Sequence, residues 1–390
     1  MKSDLQRVGI LTGGGDVPGL NSTIKIFVRR MEEEGVEVVG LLRGWASLLN
    51  VRPEDPASQA DWLHPLTAES TRKIDRTGGT VLHSSRLNPG LLFSNQVPAH
   101  LEGGLPAAES GGTFDGTSAV LRAIEALRLD AVVAIGGDGT LSFAERLHRE
   151  GVPMIAIPKT MDNDVHGTEY SIGFSTAVTR SVLAINDLRT TAGSHERILI
   201  VELFGRNSGA PCLLSSYLAD ADRALIAEVP FDMERLIGLL MADKETNPSR
   251  YAVLTVAEGA YPIGGHRLES GEADAVGHRK LGGIGEVIGE HLQRASGHRA
   301  MCQVLGYMMR SGPPDSLDRL VSSNFASLAA DLLIAGKAGL MTAVVGGRYQ
   351  AVSIERVAEG ARQVDVERFY DSEEYRPSIR DIRCLPMFLH

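Results

Sequence analysis

Short apolar runs that break abruptly into glycines or carboxylates recur along this chain. The run at 131–135, Ala-Val-Val-Ala-Ile, breaks into Gly136-Gly137-Asp138-Gly139-Thr140. The run at 154–157, Met-Ile-Ala-Ile, breaks into Pro158-Lys159-Thr160-Met161-Asp162-Asn163-Asp164. Runs of this length without polar alternation read as strands covered on both faces. The opening follows the same grammar: an apolar segment at 8–11, then Thr12-Gly13-Gly14-Gly15-Asp16, then residues 22–34 with Ile24, Phe27, Val28 and Met31 at helical spacing, and a second strand at 36–41. This is a βαβ unit with a glycine-rich first turn.

The alternation continues. Helices are predicted over 117–127, 176–188, 233–244, 281–292 and 318–333, and strands over 198–203, 224–227, 251–257, 302–305 and 340–345. Residues 47–70 are less regular, 93–112 read as a loop excursion, and 264–298 begin as a flexible arm rich in Gly, His and charge. The tail from Val364 reads as a wrap over the body. The pattern predicts an α/β fold: two α/β lobes with mainly parallel sheets, and an active-site cleft between them where strand ends from each lobe point inward.

Composition narrows the function classes. With 390 residues the chain is long enough for two apolar cores. Its 39 Lys and Arg against 49 Asp and Glu give a net charge of -10, which argues against general nucleic-acid binding. Cys212, Cys302 and Cys384 are too far apart for a disulfide framework or a metal cluster and read as thiols of a reducing compartment. Met1-Lys2-Ser3-Asp4 leads straight into a strand, which predicts no leader, and no apolar run is long enough to span a bilayer. A cytoplasmic protein without membrane or nucleic-acid partners is expected.

The breaks carry the candidate chemistry. Gly136, Gly137 and Gly139 would let backbone approach a phosphate. Asp138, Asp162 and Asp164 offer hard oxygen ligands for Mg²⁺ and a proton acceptor. The first turn is neither a G-x-G-x-x-G fingerprint nor a P-loop, because the glycine spacing and the Gly-Lys-Ser/Thr ending are both missing. Asp162 and Asp164 project alike if the segment between them is extended and diverge if it turns. Arg86, Arg197, Arg206 and Arg310 each stand beside a strand end or turn of an acidic chain, where a phosphate-bearing substrate would account for several together.

Taken in order, these motifs resemble the phosphofructokinase superfamily over residues 5–348. The matching stretches are Gly-Gly-Asp-Val-Pro-Gly-Leu-Asn from Gly14, Gly-Gly-Thr at Gly78 with Ser-Ser-Arg ending at Arg86, Gly-Gly-Asp-Gly-Thr from Gly136 and Pro-Lys-Thr-Met-Asp-Asn-Asp from Pro158. Phe-Gly-Arg-Asn-Ser-Gly from Phe204, Glu258, Leu-Gly-Tyr-Met-Met-Arg-Ser-Gly from Leu305 and Asp318-Arg319 complete the series.

The resemblance implies direct phosphoryl transfer to the 1-hydroxyl of fructose 6-phosphate, with Asp162 as the base and Thr160 and Arg206 holding the transferring group. Gly15, Arg86, Gly136, Gly137, Gly139, Thr140 and Lys159 would line the donor, Asp138 and Asp164 would hold Mg²⁺, and Trp45 would stack on a nucleotide base. Phe204, Gly205 and Glu258 would contact the sugar, together with Asp164. Arg310 and Arg299 would clamp its 6-phosphate, with Arg197 contributed by a neighbouring subunit and Tyr307 standing where many relatives carry a His. Gly139 leaves room for a nucleotide and favours ATP, whereas Lys159 is typical of the pyrophosphate branch. ATP is the expected donor, pyrophosphate the alternative, and another phosphosugar such as sedoheptulose 7-phosphate an alternative acceptor. The expected assembly is a homodimer or homotetramer with shared sites. The expected division is a phosphoryl-donor lobe at 1–175, a phosphosugar lobe at 176–340 and a terminal strand and tail at 341–390.

Overall fold

The glycine-broken opening forms strand β1 (Arg7–Thr12), helix α1 (Leu20–Glu33) and strand β2 (Glu37–Leu41), with β1 and β2 parallel. Ile24, Phe27, Val28 and Met31 make the buried stripe of α1, as their spacing requires. In this computed structural model the described residues are 5–108, 111–270 and 280–380. Met1-Lys2-Ser3-Asp4, Cys384 and residues 271–279 of the 264–298 arm lie outside them.

The first lobe continues through α2 (Ala46–Asn50), α3 (Pro56–Trp62) and β3 (Leu63–Leu66), which pairs antiparallel with β2. It then runs through α4 (Thr117–Ala126), β4 (Ala131–Gly136), α5 (Asp138–Arg149) and β5 (Met154–Pro158). Every residue of β4 and β5 is buried, consistent with their unbroken apolar sequence. Helix α6 (Phe174–Ser194) leads to the second lobe. There β6 (Ile198–Leu203), α7 (Ala210–Leu218), β7 (Arg223–Leu225), α8 (Met233–Thr246) and β8 (Ala252–Ala257) alternate. The two-residue strands β9 (Glu269–Ser270) and β10 (Lys280–Leu281) then lead to α9 (Ile284–Ser296) and β11 (Ala300–Val304).

After β11 the chain crosses back to the first lobe. Helix α10 (Ser316–Ile334) and strands β12 (Leu340–Val345) and β13 (Arg348–Ser353) belong to the first lobe. Its sheet has seven strands in the order β13-β12-β5-β4-β1-β2-β3, and the second has four in the order β11-β6-β8-β7. The cause is pairing: β12 adds to the free side of β5 in parallel and brings β13 with it. The tail forms α11 (Val366–Phe369), β14 (Tyr370–Asp371) and β15 (Arg376–Pro377) and does wrap, back onto the second lobe. Arg223, 3% exposed, draws it in. Its guanidinium donates to both Asp243 oxygens at 2.6 and 2.7 Å and to the Glu374 carboxylate at 2.7 Å. A buried guanidinium needs such partners to offset its lost hydration.

One apolar core joins the lobes, running from Val133 and Ile155 of the first sheet through α1, α6 and α10 to Leu199 and Val253 of the second. Its polar fastener is Asp318, fully buried near the start of α10. This carboxylate accepts from Tyr170 Oη at 2.6 Å, from the Gly173 and Thr176 N–H groups at 2.8 Å each, and from Thr176 Oγ1 at 2.5 Å. Helix α6 has no side-chain cap of its own, since its N-cap residue is Gly173. A carboxylate borrowed from α10 satisfies its orphan donors and suits its positive end.

Candidate active site

The C-terminal ends of β1, β4 and β5 from one sheet and β6 and β8 from the other carry the singled-out motifs into one cleft. At the end of the first sheet, Gly13 N–H donates to Ile135 O at 2.9 Å and Gly14 N–H to Ser85 O at 2.9 Å, which ties the ends of β1 and β4 to the loop preceding Arg86. A Cβ at Gly13 or Gly136 would overlap the Thr140 side chain. These two glycines therefore let the first turn of α5 lie against the sheet. Gly137 and Gly139 are the more open pair, with Gly139 exposed in the first turn of α5.

Trp45 is a correction. It is 1% exposed, meets Phe143 edge-on at 5.1 Å between centroids, and donates its indole N–H to Thr140 O at 3.1 Å. Its faces are sealed in the core, so it braces the Gly136-to-Thr140 turn from behind and leaves no face for a base.

Lys159, 3% exposed, points back across the turn and donates to Gly15 O at 2.7 Å. Burial, with the nearby Arg310 charge adding to it, pulls its pKa down to about 8. Arg310 reaches in from the segment after β11. Its Nε lies 3.5 Å from Asp16 Oδ1, its guanidinium sits 4.6 Å above the Tyr307 ring, and a Cβ at position 15 would press against its Nη1. Gly13 was missing from the expected site, and its sequence signal was membership of the Gly13-Gly14-Gly15-Asp16 turn, in which Asp16 was already available to a cation.

The segment joining Asp162 and Asp164 turns. The residue between them, Asn163, holds a left-handed φ of 54° and is 2% exposed, with its amide accepting from Ser171 N–H at 2.8 Å and donating to Glu169 O at 3.1 Å. Asn tolerates this backbone region better than most residues. One Asp162 oxygen accepts from Arg206 N–H at 3.4 Å, while the other, Oδ1, is enclosed without a hydrogen-bond partner. Burial, then the Asp164 and Glu258 charges, hold the Asp162 carboxyl well above the usual carboxylate range. Burial and Asp164 push Asp138 up to about 7, and burial pushes Glu258 up to about 7. Clustered carboxyls of this kind mark functional clefts.

No group of three or more His, Cys, Asp or Glu side chains that could hold a metal occurs among the described residues. Asp138 and Asp164 nevertheless fit Mg²⁺, because Asp138 Oδ1 is buried without a partner beside a second carboxylate. This ion commonly takes one or two protein carboxylates and completes its shell with phosphate oxygens and water.

At the end of the second sheet, Phe204 and Tyr307 meet edge-on at 6.2 Å, and Tyr307 is 70% exposed. Gly205 takes a φ of 144°, and a Cβ on Gly259 would overlap the Arg206 carbonyl, so glycines bring Arg206 and Glu258 together. The charges of Arg206 and Arg86 both bear on Glu258. Thr160 Oγ1 accepts from Asp162 N–H at 3.2 Å, which closes the turn after β5. Arg197 and Arg299 stand elsewhere. They immediately precede β6 and β11, whose parallel register matches Ile198 with Ala300, so they neighbour each other at the end opposite Phe204 and Tyr307. Arg299, like Arg197, therefore stands a full strand length from its own chain's cleft.

The family model for phosphofructokinase matches residues 7–333. A pyrophosphate–fructose 6-phosphate 1-phosphotransferase of Amycolatopsis mediterranei (strain S699) is 35% identical over 373 residues, covering 95% of this chain and 99% of the relative. ATP-dependent 6-phosphofructokinase 3 of Streptomyces coelicolor is 35% identical over 369 residues, covering 94% and 99%. Among solved structures, a pyrophosphate-dependent phosphofructokinase from Marinobacter aquaeolei superposes with a TM-score of 0.76 at 15% identity, covering 99% of this chain and 92% of that one. Phosphofructokinase from Saccharomyces cerevisiae gives 0.72 at 20% identity over 91% of this chain, which spans 45% of that chain. The structural matches bear on the fold. No helix of the described residues is long and apolar enough to cross a membrane.

Proposed function

The chain belongs to the phosphofructokinase family, and from that premise we propose that it transfers the terminal phosphoryl group of ATP to the 1-hydroxyl of fructose 6-phosphate. The observation that carries the reading is Asp162. Its Oδ1 is enclosed and unpartnered at the floor of the cleft, next to a backbone donor from Arg206. A raised carboxyl pKa makes it a stronger base once ionised, suited to taking the hydroxyl proton as the new O–P bond forms.

The chain's own groups divide the remaining work. Lys159, Arg86 and the turn around Gly137 and Gly139 face the donor phosphates. Thr160 and Arg206 hold the transferring group, and donors fixed in a dry cleft stabilise charge as it builds on the equatorial oxygens. Asp138 and Asp164 would hold Mg²⁺, which neutralises the donor's charge when bound. Phe204, Gly205, Glu258, Tyr307 and Arg310 shape the acceptor side. Arg197 would act from a neighbouring subunit in a homodimer or homotetramer, and Arg299 beside it shares that geometry.

The donor is where a second reading has support. Gly139 is an open position that accommodates a nucleotide, whereas Lys159 suits pyrophosphate as a compact point charge. Curated relatives at 35% identity carry both donor names. The test is steady-state phosphorylation of fructose 6-phosphate with Mg²⁺ and each donor in turn. Preference for ATP supports the proposal, preference for pyrophosphate replaces it with the reversible phosphotransferase, and turnover only with sedoheptulose 7-phosphate would move the acceptor.

A further inference from the structure

Residues 361–364 lie past the 7–333 match to the family model, yet they run directly behind the catalytic loop. Ala361 bridges antiparallel to Val165, and the Arg362 N–H donates to the Asp164 carbonyl at 2.8 Å. The Arg362 guanidinium turns into the same loop and donates from Nη1 to Glu169 O at 2.9 Å and Thr168 O at 3.2 Å. Glu169 O also accepts from Asn163, the left-handed residue between Asp162 and Asp164. Two residues on, Val364 N–H donates at 3.0 Å to Glu228, whose carboxylate also accepts from Gly209 N–H at 2.9 and 3.0 Å, at the end of the loop that carries Arg206. Strap and loops close around a cavity of only about 10 Å³, lined in part by Asn163, Ser208 and Arg362.

We propose that Arg362 is a positioning residue of the active site, clamping the 164–169 loop from behind so that the turn carrying Asp162 and Asp164 keeps its shape. The argument is one of connectivity. The far end of the loop is tied to β12, where Glu169 N–H donates to Val344 O at 2.8 Å and Val344 N–H to Thr168 Oγ1 at 3.0 Å, and Arg362 adds a brace at the Glu169 carbonyl that the Asn163 amide also uses. A guanidinium suits the task because one nitrogen can serve two carbonyls while the stem fills the gap. Because the strap continues to Glu228, the loops bearing Asp162 and Arg206 share one support, and a base and its neighbouring donor must be held together to within a fraction of an ångström.

The inference rests on the phosphotransferase reading of Asp162, so its test carries a readout independent of turnover. Arg362→Met keeps the stem and removes the donors, and Arg362→Lys restores one donor group. In Arg362→Met, amide exchange should accelerate within residues 162–171, while the buried strands Ala131–Gly136 and Met154–Pro158 keep wild-type protection. Turnover should fall about 10- to 100-fold with KM for fructose 6-phosphate within about threefold, and Arg362→Lys should recover at least half of that loss on a logarithmic scale. Unchanged exchange in the loop, or exchange accelerated equally throughout the first lobe, would overturn the clamp. Loop exchange that accelerates while turnover stays within twofold would overturn its catalytic role. If the wild type turns over no phosphosugar with either donor, the functional reading fails while the exchange arm still decides the clamp.

Discussion

Lys159 gives the sharpest test, because its burial has a cost that its function must outweigh. The folded protein lowers its pKa from 10.5 to about 8 at 3% exposure. Two and a half pH units correspond to about 3 kcal/mol of disfavoured charge. Against this stands the bond to Gly15 O at 2.7 Å, worth about 1–2 kcal/mol. Lys159→Met, of similar volume, should therefore stabilise the ligand-free protein at pH 7.5 by roughly 1–2 kcal/mol, or about 2 °C in denaturation midpoint for a chain of this length. The sign follows from proton counts. Between about pH 8 and 10.5 the unfolded chain holds a proton on Lys159 that the folded chain has lost, so raising pH stabilises the wild type through this group. Below pH 8 both states are protonated and the contribution is constant. By pH 9.5 the wild type should have regained roughly 2 kcal/mol relative to the variant, cancelling or reversing the difference. Calorimetric scans of both proteins at the two pH values measure this, with other titrating groups cancelling in the comparison. Parallel shifts, or a variant less stable at pH 7.5, would refute the argument. The same variant should raise KM for the phosphoryl donor at least tenfold, and wild-type donor affinity should weaken above about pH 8 as the charge is lost.

Three further substitutions probe the cleft. Asp162→Asn keeps an acceptor for Arg206 N–H and removes the base, so kcat should fall by about 10² to 10⁴ with fructose 6-phosphate affinity within about threefold by direct binding. Gly139→Asp places a carboxylate in the first turn of α5. It should lower kcat/KM for ATP at least tenfold more than for pyrophosphate when both donors are compared. Gly78→Ala forces a Cβ into the Gly312 carbonyl, so the loop leading to Arg86 must shift. A loss of about 1–3 kcal/mol in chemical denaturation is expected, with weaker donor binding.

What could be read from the sequence is what a buried parallel strand and its ending dictate. Ala131–Gly136 and Met154–Pro158 are unbroken apolar runs because helices cover both sheet faces, and their glycines and carboxylates follow because ligands meet strand ends. Pairing was not legible. Nothing in the composition of Leu340–Val345 says that it adds to β5 and returns the chain to the first lobe. Helix ends moved for local reasons: α6 runs on to Ser194 because the polar 189–194 stretch has an exposed side to occupy and no breaker before Gly193. The short β3 was hidden in an irregular region because Leu-His-Pro-Leu has two apolar ends and an exposed middle. Trp45 shows the limit of reasoning from neighbourhood: a ring near the donor turn was expected to stack on a base, but contact with Phe143 turns it inward. Asp318, Asn163 and Arg362 act through partners distant in sequence or through loop backbone, which no local pattern announces.

The two sides of the cleft are also linked by charge, and the link runs through Arg310. It extends from the segment that follows the second sheet, yet it rests against Gly15 and lies 3.5 Å from Asp16, on the turn whose carbonyl holds Lys159. Its positive charge lowers the Lys159 pKa, second only to burial. An anionic group that neutralises Arg310 removes that opposition and lets Lys159 hold its proton more firmly, which strengthens its grip on donor phosphate. The converse follows by linkage: a donor phosphate that neutralises Lys159 lowers the electrostatic cost of leaving Arg310 in place for an acceptor phosphate. If Lys159 holds donor phosphate and Arg310 acceptor phosphate, as proposed, this pair of charges facing one turn from two lobes would let each bound anion favour the other without any change of shape.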